Sequence, residues 1–202
     1  GHSYSSFLIP GLVMMTLAQN AFANSSSSIL QSKMNGNIVF LLLAPLSALE
    51  VYLAFLGAAI ARGLVTGGAV LLIASLITPV TLHSALLVLL FALLSSGVMG
   101  ALGIIAGIWS EKYDHLSAFQ NFIILPLTFL SGVFYSIQDL PPFWRAVSSW
   151  NPVFYLIDGF RFGFLGVSDV SFGASVVVAT LFLLLLTLLS IAILRSGYKL
   201  RG

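Results

Sequence analysis

The chain has 202 residues, 59% of them apolar and 7% charged, with a mean hydropathy of +1.08. Soluble domains carry about 45–50% apolar and about 25% charged residues, so eight basic and six acidic side chains cannot coat a soluble domain of this size, and most of the chain has lipid as its natural solvent. A net charge of +2 without a basic run gives no footprint for nucleic-acid binding, and the absence of cysteine excludes disulfides and thiolate metal sites.

A span needs about 20 apolar residues to cross about 30 Å of hydrocarbon. The first predicted span covers residues 7–23 and ends before the polar run Asn24, Ser25, Ser26, Ser27 and Ser28. Residues 29–50 begin polar with Gln31, Ser32, Lys33, Asn35, Gly36 and Asn37, turn apolar, and break at Pro45. This reads as an interfacial helix lying on one membrane face. Between Arg62 and Glu111 lie 48 residues without a charge, about 72 Å as helix, which makes two spans. Thr78, Pro79, Thr81, His83 and Ser84 divide them, giving a second span over 64–77, starting back toward 58, and a third over 85–109. The fourth is predicted at 116–136 and the fifth at 172–194.

Residues 137–171 are too apolar for a free loop, yet Asp139, Pro141, Pro142, Arg145, Asp158, Arg161 and Asp169 exclude a span. Asn151 and Pro152 form an N-cap and N1 pair opening a helix to about 165, and Pro142 opens a shorter one. Two short re-entrant helices result, with backbone buried against protein. Lys33, Lys112, Arg195, Lys199 and Arg201 fall on one side of the five spans, and Arg145 and Arg161 on the other. The positive-inside rule then puts the C-terminus in the cytoplasm and Gly1 outside. Arg62, the most membrane-proximal charge, has two readings, a substrate contact and a snorkelling anchor near the inner end of the second span, and the anchor is the favoured one. The chain opens Gly-His-Ser without an initiator Met or a signal peptide, and an outside start with an odd span count leads to the expectation of one preceding span.

No G-x-x-x-x-G-K-[ST] occurs, so ATP energy has to come from a partner. His2, His83 and His115 lack the companions of a metal site and read as polar interface residues. Every acidic residue falls at a span end or in a connection, which counts against proton coupling. The G-x-x-x-G pairs Gly63/Gly67 and Gly103/Gly107 mark close helix packing, within the chain or at a dimer seam. Trp109, Tyr113, Trp144, Trp150, Tyr155 and Tyr198 read as interfacial aromatic belts.

Leu130-Ser131-Gly132, Leu140-Pro141-Pro142 with Trp144, Asn151-Pro152 and Arg161, following the 33–50 segment with its Pro45-Leu46-Ser47, together resemble the ABC type-2 transporter permeases over nearly the whole chain. The resemblance implies an all-α polytopic helical bundle forming a single transmembrane domain over 1–202, with five transmembrane helices here and six at full length. It also implies a cytoplasmic coupling helix, two short outer re-entrant helices and a homodimer in the bacterial inner membrane. The implied activity is ATP-driven export, with ATP and Mg held by a separate ABC ATPase and no cofactor in this chain. Relatives export polysaccharides, lipid-linked glycans, lipo-oligosaccharides and drugs. The expected coupling residues are Gln31, Lys33, Asn35, Asn37, Pro45 and Glu50, Asn37 standing where many members carry an acid. The expected outer gate holds Trp144, Trp150, Asn151, Pro152, Asp158 and Arg161, with Asp158 and Arg161 paired as a local salt bridge. A stand-alone secondary carrier and a non-transporting assembly subunit are the alternative readings.

Overall fold

The computed structural model describes residues 4–199, so His2, Gly1 and Arg201 lie outside the described residues. The described elements are helical throughout. Four helices are long and apolar enough to cross a membrane, over Phe7–Met34, Ala48–Ile77, Ala85–Trp109 and Phe172–Ser196. They belong to α1 (Tyr4–Met34), α3 (Ala48–Ile77), α4 (Ala85–Trp109) and α9 (Phe172–Ser196). The third predicted span coincides with α4, and the fifth ends two residues early.

The first span does not stop before the serines, and α1 runs through them to Met34. Ser25, Ser26 and Ser27 donate their hydroxyls to the carbonyls of Ala21, Phe22 and Ala23, each four residues back, which settles a polar run inside a helix. Gln31 and Lys33 therefore belong to the end of α1. The interfacial helix shrinks to α2 (Ile38–Leu43), reached through Gly36 at φ +73°. Pro45 cannot continue a helix and holds Ala44 extended. α3 then starts at a capping box in which Ser47 and Glu50 serve each other's backbone N–H.

The fourth predicted span is the largest departure. It is a helix in three pieces, α5 (Tyr113–Phe119), a π turn (Gln120–Ile124) and α6 (Leu125–Phe129), 17 residues in all and about 25 Å long. Pro126 has no N–H for the α-helical ladder, and the wider turn before it absorbs the mismatch. The apolar residues after Phe129 do not extend the helix to 136, because the chain turns out of it through Gly132 at φ +78°. A 3₁₀ turn (Ile137–Asp139) leads to α7 (Pro142–Ser149) and α8 (Pro152–Leu165). Asn151 opens α8 as expected, accepting from Val153 N–H at 3.0 Å and donating to the Leu127 carbonyl at 2.6 Å.

α1 and α4 form the centre, with α3, α8 and α9 packed around them. Both G-x-x-x-G pairs lie within the chain and face α1. A Cβ on Gly103 would sit 2.5 Å from the Phe22 carbonyl, one on Gly107 2.8 Å from that of Ser26, and one on Gly63 3.1 Å from that of Leu17. The seam is closed by Ser25, whose one hydroxyl hydrogen is shared between the Ala21 carbonyl and the nearer Gly100 carbonyl at 2.8 Å. Close backbone approach replaces the hydrophobic drive that is missing between helices in lipid.

Candidate functional site

The chain brings its polar residues together at the two ends of the bundle and at one place between them. At the first end, the segment from Asn35 to Glu50 links α1 to α3. Gln31, Asn35, Asn37, Pro45 and Glu50 are exposed, and α2 shows Phe40 at 74% exposure and Leu43 at 77% while Ile38 anchors it in the core. Lys33 does not face outward with its neighbours. Its ammonium donates to the carbonyls of Ile108 and Ser110, both at 2.6 Å, and so neutralises the negative end of α4. From the chain terminus Lys199 reaches the same place, meeting Glu111 at 3.0 Å and the Trp109 carbonyl at 3.3 Å. The Lys199 bond holds the Glu111 carboxyl below its usual range.

At the opposite end α8 is buried along most of its length, and α7 lies on the surface. Trp144 is exposed and Trp150 is 89% exposed, so the aromatic side chains of the expected gate do not gather into one plug with α8. Asp158 and Arg161 are both buried but form no salt bridge, contrary to expectation. The Asp158 carboxylate accepts from Ser168 Oγ, from Asp169 N–H at 2.8 Å and from Ser175 Oγ at 3.4 Å, tying α8 to the start of α9. Arg161 turns the other way, donating to the Gly132 carbonyl at 2.5 Å and lying 3.8 Å above the Phe7 ring. Asp169 completes the link by accepting from Ser136 Oγ at 2.6 Å and Ile137 N–H at 3.1 Å. Spacing alone pointed to a local ion pair. The partners instead come from residues 132–137 and 168–175, which no periodicity reveals.

Between the two ends stands Arg62, which the sequence placed near a span end. It lies about 21 Å of helix from Ala48 and about 22 Å from Ile77, at the middle of α3. The neighbouring Gly63 is level with Ser96, itself halfway along α4. Arg62 is exposed and donates to Asn24 Oδ1 at 3.4 Å. The two remaining histidines sit among aromatics, His83 against Phe162 and His115 against Trp109.

Comparison with known proteins agrees with this architecture. The family model described as ABC-2 type transporter matches residues 1–165. The inner membrane transport permease YadH of Escherichia coli K12 is 37% identical over 202 residues, covering 100% of this chain and 79% of that protein. Nodulation protein J of Rhizobium leguminosarum bv. viciae is 23% identical over 201 residues, covering 96% of this chain and 76% of that protein. With its membrane-spanning helices and a family match over most of its length, the chain belongs to the ABC-2 type transporter family, as a membrane permease subunit of an ABC transporter.

Proposed function

We propose that this permease exports its cargo from the cytoplasm as a dimer of identical subunits in a bacterial inner membrane, driven by a separate ABC ATPase that holds ATP and Mg. Membership of the family implies an ABC ATPase partner, and the inner membrane is the location in YadH's name. We read residues 1–202 as one transmembrane domain, with Arg195 and Lys199 on the cytoplasmic side together with Lys33 and Lys112.

The observation that carries the coupling role is the exposed, rigidly mounted segment from Asn35 to Glu50. Its apolar α2 can rest in the interface while Asn35 and Asn37 face a docked partner, with Gln31 beside them. Lys33 bolts one flank to α4, and the Ser47–Glu50 box stiffens the other. A push on α2 is then delivered to α1, α3 and α4 together. At the opposite end, α8 with Asn151, Pro152, Asp158 and Arg161 serves as a gate fixed by its own network, and α7 with Trp144 and Trp150 rests at the membrane surface. The fourteen residues of α8, about 21 Å, enter the membrane without crossing it.

The test is co-purification of the full-length permease with a co-expressed ABC ATPase of the same organism, followed by ATP hydrolysis in proteoliposomes. A stable complex whose hydrolysis depends on the permease is expected. A permease that moves solutes without any ATPase would support the carrier reading instead.

A further inference from the structure

Thr16, Asn20, Asn24, Ser27 and Gln31 recur at intervals of four, four, three and four, which places them on one narrow face of α1. The first four are half-buried and Gln31 is exposed, so among the described residues this polar face is only partly covered along the span. Thr16 and Ser27 satisfy their hydroxyls on their own helix, and Asn20 donates to the Thr16 carbonyl. Arg62 reaches onto this face through Asn24. A guanidinium at the middle of a span is too far from either membrane surface to snorkel, and none of the described carboxylates lies within 4 Å of it. A charge there faces a water-filled path or an ionic partner, since lipid tails solvate it poorly.

Resident lipid phosphates sit at the headgroup level, about 15 Å from the midplane, so an anion that reaches Arg62 from outside the protein arrives by the transport path. We propose that Arg62, steadied by Asn24, is a site midway across the membrane for an anionic group of the cargo, of the phosphate, sulfate, sulfonate or carboxylate class, reached along the polar face of α1. This rests on the permease reading and adds a charge class for the cargo. The five polar residues supply hydrogen bonds along the way, and Arg62 supplies the single point of charge selection.

This chain has no cysteine, which makes a charge-selective labelling test direct. Ser27→Cys stands one turn from Asn24 on the polar face. In the full-length permease with its ATPase, in zwitterionic proteoliposomes, its reaction is followed with two methanethiosulfonates of similar size, one carrying a sulfonate and one a trimethylammonium. The sulfonate reagent should be favoured relative to a free thiol. That preference should fall about tenfold on adding Arg62→Gln and persist with Arg62→Lys, as a nearby charge in a partly dry site requires. Leu72→Cys, on the exposed apolar face of α3, should stay unmodified. A preference unchanged by Arg62→Gln overturns the anion site. Failure of both reagents at Ser27→Cys, with ATPase binding and turnover intact, removes the polar face from the path and leaves the permease reading standing. Loss of ATPase binding in the unmodified protein counts against that reading instead.

Discussion

The Lys33 ammonium donates to the Ile108 carbonyl at 2.6 Å, joining the last turn of α1 to the last turn of α4. Both ends border the segment proposed to receive the ATPase, so this bond holds the receiving surface in register with the central helices. Lys33→Gln removes the charge that meets the α4 carbonyls and should destabilise the protein by about 1–2 kcal/mol. Lys33→Glu should cost more, because it sets a negative charge against the same carbonyls. Thermal unfolding in detergent checks both, and equal melting of all three proteins would remove the role.

Gly103 tests the seam between α1 and α4. Gly103→Ala drives a methyl group to 2.5 Å from the Phe22 carbonyl, and separating the helices should cost about 1–3 kcal/mol. Gly68 lies in the interior of α3 with open space at its Cβ position. Gly68→Ala should be neutral or slightly stabilising, because alanine has the better helix propensity. Matching behaviour of the two variants in thermal unfolding would contradict the packing described.

The network around Asp158 predicts an order of damage. Asp158→Ala leaves the half-buried Asp169 N–H and the buried Ser175 hydroxyl without their acceptor, while Ser168 keeps the Val170 carbonyl, and should cost about 1–3 kcal/mol. Asp158→Asn keeps the shape and one acceptor and should cost less. Arg161→Lys loses the planar guanidinium above Phe7 and should not restore the native stability. Melting temperatures and monodispersity on gel filtration read out the order, and an Asp158→Ala protein as stable as the native one would show that the network is unimportant.

Acid should loosen the contact between Lys199 and Glu111. The hydrogen bond and charge of Lys199 lower the Glu111 pKa from its ordinary 4.5. The lowered folded value means that the contact stabilises above the unfolded value and that this contribution fades as pH falls below about 4.5 through the folded value. The pair is exposed to solvent, so the effect is small and screened by salt. A spin label on Ser196→Cys should gain some mobility over that acidic window, and Glu111→Gln should give that raised mobility at neutral pH and remove the pH dependence. A label with the same mobility in both proteins at neutral pH would contradict the contact.

The spans were legible where hydrophobicity and punctuation agree, as at α4, at the start of α9, and at Pro142 and Asn151-Pro152 ahead of α7 and α8. They were misread where polar residues are satisfied inside a helix, as at Ser25 to Ser27, and where one glycine overrides an apolar run, as at Gly132. Among the site residues, exposure of Asn35 and Asn37 followed from their position in a polar connection. The partners of Lys33, Asp158 and Arg161 did not, because each bonds to backbone or side chains that only the fold brings near. Arg62 was misplaced for a related reason. Taking its span to begin near 58 put Arg62 by the end, whereas the Ser47–Glu50 cap starts α3 at Ala48 and moves it to the centre.

The orientation of the bundle is checked by impermeant thiol labelling of intact cells. Ser149→Cys should label from outside, and Ser196→Cys only after the membrane is opened. Labelling of both from one face would reverse or abolish the proposed sidedness.

The central claim is that ATP-derived force enters through the exposed segment between Asn35 and Glu50. The most direct measurement is ATPase pull-down with the Asn35→Lys and Asn37→Lys double variant, with hydrolysis and export followed in the same membranes. Recovery of the ATPase should fall about tenfold, or hydrolysis should continue with export lost, while the spans stay inserted and Lys33→Gln retains ATPase binding. Native pull-down, hydrolysis and export in the double variant would contradict the account.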